Sequence, residues 1–171
     1  IHNGLFRFYS LNSEIGACDA NQLSWLNTDL QNHTGSANDP RWKIAQHHVP
    51  TYAMGASYGL NQDQMDCWVN KYETYKVDLV LESHSHTTKW SWPCVKNSNN
   101  DGFDVDSTNG IVYIGEGQWG APHRDLNFTG TSIKSWIKDQ DVFDNFFYIT
   151  VSMDTIKIQS VKFENISSIS L

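Results

Sequence analysis

An α/β fold with parallel strand pairing in its first half is predicted by two features of the sequence. Strand-like and helix-like stretches alternate from residue 5 to residue 82, an order that calls for crossover connections between parallel strands. A pair of β-rich runs then flanks Met153-Asp154-Thr155 near the end, a hairpin that would add antiparallel strands to a sheet. With 171 residues, 39% of them apolar and 18% charged, the chain has enough material for one domain with a single core.

Residues 5–11 alternate partly and are rich in aromatics, so they read as a first strand. A helix is predicted over residues 21–32, capped by Asp19, with Leu23, Leu26 and Leu30 forming its apolar stripe. A Gly/Asn/Asp/Pro loop follows at residues 34–40. Residues 42–48 read as the second strand, stopped by Pro50. Residues 53–60 hold two glycines and no clear period, which marks a loop. Asn61 caps a second helix reaching residue 76, with Met65, Trp68, Val69 and Tyr72 on its buried face.

The third strand is the apolar run of residues 77–82, which leads straight into His84 and His86. Residues 96–110 are almost wholly polar and are expected to form a long exposed excursion. Residues 111–115 read as a buried strand, with a Gly-rich turn after it to Pro122. The hairpin is expected from residues 145–150 and 156–163.

The formal net charge of −7 excludes an electrostatic nucleic-acid surface, which needs a basic face. An anionic substrate is still compatible with it, because a bound metal pair can dominate the local charge. No apolar run reaches the roughly 20 residues that span a bilayer. The sequence starts at Ile1 with neither an initiator Met nor a secretory hydrophobic segment, so a fragment or a processed chain is expected. Cys18, Cys67 and Cys94 fit no zinc-ribbon spacing; they allow one disulfide plus a spare thiol, or a partner in another segment. Asn32, Asn127 and Asn165 each open a glycosylation acceptor triplet.

The chemistry points to the histidines. His47-His48 ends one strand and His84-Ser85-His86 ends the next, with a helix between them. Ligands of open α/β sheets bind at the carboxyl ends of strands, so successive parallel strands would carry both clusters to one edge. His48, His84 and His86 are therefore the candidate metal ligands, imidazole being the commonest nitrogen donor for such ions. Strand alternation turns His47 to the opposite side, where packing is expected. His123 and Arg124 follow the Gly-rich turn and are candidates for binding an anionic oxygen. Trp90 and Trp92 are expected to be core residues rather than pocket walls, and Asp101, Asp104 and Asp106 a solvated loop.

These residues also carry a resemblance. His48-Val49-Pro50-Thr51-Tyr52 is similar to the H-x-P-x-Y element of calcineurin-like metallophosphoesterases, purple acid phosphatases among them. The apolar run of residues 77–82 followed by Ser83-His84-Ser85-His86 resembles their strand ending in G-H-x-H. Residues 8–14, the Gln22-Leu23-Ser24-Trp25-Leu26 helix and the strand and turn at residues 111–117 match the remaining elements in order. The resemblance implies an α/β sandwich of two mixed β-sheets flanked by helices. It further implies phosphate-ester hydrolysis at two divalent or trivalent ions (zinc, iron or manganese), with a hydroxide held between them as the nucleophile. By the family pattern His48 and His84 share one ion and His86 binds the other. A secreted, lysosomal or periplasmic location would follow.

The departures are as informative. The D-x-H, G-D and G-N-H elements that supply the family's bridging carboxylate, Asn ligand and leaving-group His do not occur in this sequence. Residues 1–171 are thus expected to be the C-terminal half of a single metallophosphoesterase domain, with the N-terminal half as a further segment of the same or another chain. Alone it is expected to be inactive. Ser83 stands where the family has Gly, a position that Gly often fills to allow positive φ. Ser83 and the absent motifs keep an alternative in play, a non-catalytic binding or structural module with an incomplete metal site.

Overall fold

Short apolar strands with period-2 alternation and two amphipathic helices can bury their faces only by stacking in layers. The computed structural model describes residues 4–35, 39–115, 117 and 119–163 of the chain. In chain order the elements are β1 (Phe6–Ser10), α1 (Ala20–Asn32), β2 (Trp42–Gln46), α2 (Gln62–Gln64), a π-helical turn (Met65–Val69) and α3 (Asn70–Thr74). They continue as β3 (Leu79–Glu82), β4 (Thr88–Ser91), β5 (Cys94–Lys96), β6 (Phe103–Val105) and β7 (Val112–Gly115). A 3-10 turn (Gly130–Ser132), β8 (Ile137–Asp141), β9 (Asn145–Val151) and β10 (Ile156–Lys162) complete the set.

Six strands form one mixed sheet in the order β1-β2-β3-β7-β4-β8. The first four run parallel, and β4 lies antiparallel to both β7 and β8. One face of the sheet, with Tyr9, Ala45, Val80 and Tyr113, is covered by α1 and the second helix through Leu26, Leu30, Met65, Trp68, Val69 and Tyr72. The other face, with Ile44, Leu79 and Ile114, is covered by Phe147, Ile149, Ile156 and Ile158 of β9 and β10. The predicted α/β class is observed, but of the two mixed sheets expected only one is mixed among the described residues: it carries helices on one face and the two-stranded antiparallel ribbon on the other.

Local signals explain the helices. Asp19 caps α1 by accepting from the Gln22 amide at 2.9 Å, and Leu26 and Leu30 are completely buried. Arg7 of β1 clamps the same helix by pairing both carboxylate oxygens of Asp29, at 2.6 and 2.5 Å. Asn61 caps the second helix through the Gln64 amide. That helix is not uniform: its middle widens into the π turn, which carries Cys67.

Three expectations change. The closing hairpin does not extend the main sheet but forms a separate ribbon of β9 and β10, because its inward apolar residues cover the sheet face. The antiparallel members of the main sheet are instead β4 and β8, whose sequences TKWS and IKDQD are too polar to read as strands. The polar excursion of residues 96–110 is partly ordered, since β6 folds back on β5 and buries Phe103. Trp90 packs against Phe147 of the ribbon, whereas Trp92 is largely exposed rather than in the core.

A disulfide joins Cys18, just before α1, to Cys67 in the π turn, and Cys94 is the spare thiol, buried and pushed up to about 12 by its burial. The bridge is at home in an oxidising compartment. Asn32 and Asn127 are exposed, and Asn165 lies outside the described residues. No helix among the described residues is long and apolar enough to cross a membrane. The bridged residues are 49 apart in sequence, so the chain-entropy model assigns the cross-link roughly 4 kcal/mol. Cys18→Ser/Cys67→Ser is expected to lower the urea unfolding free energy by about that amount. An unchanged midpoint and slope would show that the bridge does not restrain the unfolded chain.

Candidate metal centre

The carboxyl ends of β2, β3 and β7 lie side by side, so the loops leaving them meet. Ile44, Ala45 and Gln46 of β2 stand opposite Leu79, Val80 and Leu81 of β3. Two further hydrogen bonds extend that pairing, from the His47 amide to the Leu81 carbonyl (3.1 Å) and from the Ser83 amide to the His48 carbonyl (3.0 Å). His48 and the segment entering His84 therefore leave the sheet together. The loop of residues 53–60 packs so closely on this junction that a Cβ at Gly55 would lie 2.5 Å from the Ser85 carbonyl oxygen. The turn after β7 closes the third side. Gly115, at φ +128°, brings its backbone onto Glu82, and Arg124 donates its amide to the His86 carbonyl.

Two of the three candidate ligands come together. His84 Nδ1 lies 3.0 Å from His48 Nε2, with the rings edge to face at 4.9 Å. His86 faces elsewhere: its Nδ1 donates to the Pro122 carbonyl at 2.8 Å. That bond places a proton on Nδ1, the arrangement in which a ligating histidine is usually held. Among the described residues no group of three or more His, Cys, Asp or Glu side chains converges as a ligand set.

Both His84 (φ 71°) and His86 (φ 56°) adopt the left-handed region, and Ser83 does not. The position where glycine was expected to be needed is therefore open to Ser, and the backbone strain falls on the histidines themselves. Non-glycine residues held so cost about 1–3 kcal/mol each and cluster at functional sites.

Arg124 sits beside this pair. It donates from Nη1 to the His84 carbonyl at 2.9 Å and lies 4.8 Å from the centre of the Tyr58 ring. Tyr58 in turn meets the His84 ring at 5.0 Å. Burial, and then the neighbouring His48 and Arg124, lower the His84 imidazole's pKa below its ordinary value, which favours the neutral form that can donate a lone pair. His123 is further out, with Nε2 at 3.2 Å from Asp144 in an exposed pair.

Beneath the histidines lies a buried polar layer that periodicity did not reveal. Glu82 is 4% exposed and Lys89 is 1% exposed, and they pair at 2.5 Å. Lys89 also donates to the Tyr52 carbonyl (2.7 Å), and the second oxygen of Glu82 accepts from the Thr51 amide (2.7 Å). Thr51 donates its hydroxyl to Gln64, and Gln64 donates to the Val49 carbonyl. His47 is packed as expected: it is buried against Trp68 and donates from Nδ1 to that same carbonyl at 2.7 Å. A charge at the end of an apolar strand and another in a T-T-K-W stretch were the available signals, since buried charges survive only when paired.

No protein-family model matches the sequence, and no curated protein matches it. Solved structures do. A purple acid phosphatase isolated from yellow lupin (Lupinus luteus) seeds superposes with a TM-score of 0.73 at 16% identity, covering 93% of this chain and 29% of that one. The anchor in the inner membrane complex of Plasmodium superposes with a TM-score of 0.63 at 13% identity, covering 92% of this chain and 45% of that one. The structure of PhoD matches at 0.41 and 11% identity, covering 82% of this chain and 31% of that one, too loosely to argue from. The expected metallophosphoesterase-type fold is thus the fold of this chain, which spans less than a third of the lupin enzyme's length.

One consequence can be measured. Burial holds the His47 imidazole below its ordinary pKa of 6.5, against the opposing pull of Glu82 and the Val49 carbonyl. The folded state keeps the ring neutral while the unfolded chain takes up a proton. This contribution to stability is therefore complete above pH 6.5 and is lost as pH falls through the folded pKa. Relative to His47→Asn, the wild-type unfolding free energy is expected to drop between pH 6.5 and the folded pKa, with a slope of at most about 1.4 kcal/mol per pH unit, and to level off below the folded pKa. Parallel pH profiles of the two proteins in denaturant titrations would remove this assignment.

Proposed function

We propose that this chain supplies the histidine part of a binuclear metal site that hydrolyses phosphate esters, whether monoesters or diesters. The observation that carries the reading is the approach of His84 Nδ1 to within 3.0 Å of His48 Nε2 at adjacent parallel strand ends. Two nitrogens each about 2.1 Å from one ion subtend roughly 90° at that separation, an ordinary ligand angle for five- or six-coordinate metals. The donor set therefore fits an ion that His48 and His84 would hold together, and His86 would hold a second.

When bound, zinc, iron or manganese ions supply Lewis-acid activation of water and neutralise charge on the phosphoryl oxygens. The chain's own residues do the rest. The Pro122 carbonyl holds His86 in one tautomer. Burial, with His48 and Arg124 nearby, disfavours protonation of His84 and leaves its lone pair to a metal. Arg124 is the substrate-binding candidate: one N–H is given to His84, and the remaining face of its five-donor guanidinium suits a phosphoryl oxygen. His123 is the weaker candidate, because Asp144 already faces its ring.

Three neutral imidazoles cannot bridge two cations, so this reading requires carboxylate ligands from an N-terminal half of the same domain, in this chain or another. Support comes from the resemblance of the ordered motifs and from the partial coverage of the lupin phosphatase. The disulfide supports a secreted, lysosomal or periplasmic setting.

A second reading, a non-catalytic binding or structural module, is favoured by the likeness to the Plasmodium anchor and by the absence of a three-ligand set among the described residues. Metal analysis of the intact natural protein, with hydrolysis of an aryl phosphate, separates the two. The hydrolase reading expects stoichiometric metal and a loss of at least roughly 100-fold in turnover for His84→Ala, beyond what outer-shell changes cost. Intact protein that carries no metal and leaves the ester untouched would establish the module instead.

A further inference from the structure

We infer that the buried Glu82–Lys89 pair is a positioning device, locking the His48 loop in register with the His84 loop. The pair does not touch a ligand nitrogen; it acts on backbone. Glu82 holds the Thr51 amide at 2.7 Å and Lys89 holds the Tyr52 carbonyl at 2.7 Å, so one ion pair grips the backbone of two consecutive residues, three and four past His48. On the near side, the His47 amide is tied to the Leu81 carbonyl, immediately before Glu82. Only residues 48–50 span the gap, and there Pro50 fixes φ while the Val49 carbonyl accepts from both Gln64 (2.8 Å) and His47 (2.7 Å).

Glu82 also stands two residues before His84, with Ser83 bonded to the His48 carbonyl. The same side chain thus sets the exit of β3 towards one imidazole and anchors the loop carrying the other. Lys89 adds the first residues after His86, since it lies on β4 beyond the histidine turn. Its ammonium and the Glu82 carboxylate are both within the sheet interior, at 1% and 4% exposure. A buried pair of this kind is seldom a net source of stability, because apolar residues of like volume can replace it at little loss. That property makes positioning separable from folding.

The test compares wild type with Glu82→Leu/Lys89→Met, which removes the pair without leaving a lone charge. Thermal unfolding, the tautomer state of His48 and His84 from their non-exchangeable ring protons and nitrogens, and zinc binding by calorimetry are the readouts. The double variant is expected to unfold cooperatively near the wild-type temperature. Its His48 and His84 rings are expected to lose the single paired tautomer, and zinc affinity to fall roughly 10- to 100-fold, the range for outer-shell support of metal ligands. A stable double variant with unchanged ring signals and zinc affinity would make the pair merely structural. Unlocked tautomers already in wild type would overturn the inference as well.

If the double variant does not fold, Glu82→Gln/Lys89→Met removes the ion pair and the grip on the Tyr52 carbonyl without leaving a lone buried charge; unaltered ring signals there count against the inference in the same way. The zinc readout rests on the metal reading above, whereas the tautomer readout does not. Wild type that binds no zinc removes that reading alone, and the ring signals still decide the positioning role.

Discussion

Everything at the candidate site depends on the register between β2 and β3. With Gln46 opposite Leu81, the next positions place His47 beside Glu82 and His48 beside Ser83. Strand side chains alternate, so a slip of one residue would exchange the two faces. His48 would turn into the helix-covered core and His47 into the cleft. Both strands bury their two faces, Ile44 and Leu79 under the ribbon and Ala45 and Val80 under the helices. The hydrophobic packing of both layers therefore holds this register.

Loops beyond the last sheet residue need a further restraint, since no strand ladder fixes their path. Tyr52 and Met54 bury their side chains in the core, and the rest of the restraint is polar. Val49, Thr51 and Tyr52 each give a backbone group to a buried side chain from the second helix, β3 or β4. Buried polar groups are costly unless partnered, so each of these bonds excludes alternative loop paths that would leave a charge or an amide unmet. The left-handed conformations of His84 and His86 are consistent with such over-determination, because strain persists only where the surroundings forbid relaxation.

The sequence was legible where burial follows one period. Leu23, Leu26 and Leu30 marked α1, the apolar runs marked β1, β2, β3 and β7, and the turn at Met153 marked the closing hairpin. It was illegible where polar residues are buried as pairs. Lys89 in the interior made β4 look like a loop, and β8 at the sheet edge has little apolar content to betray it. Among the site residues, motif order and strand position located His48 and His84. Tyr58, Glu82 and Lys89 belong to no motif of that kind; their placement depends on contacts across 7 to 37 residues that periodicity does not encode. Glycine logic at Ser83 misled for a local reason: the positive φ moved one residue along, onto His84.

A TM-score of 0.73 at 16% identity follows from the same division. The layers ask only for apolar residues at alternating positions, a condition that many sequences satisfy, so the fold survives wide divergence and says little about chemistry. The junction asks for more. Two imidazoles must approach to 3.0 Å, a carbonyl must face the third, and an ion pair must grip the intervening loop. None of these is needed to keep the sheet covered, and the two strained histidines work against stability. That combination in a chain whose packing would be satisfied without it is the physical ground for reading function from the junction rather than from the fold.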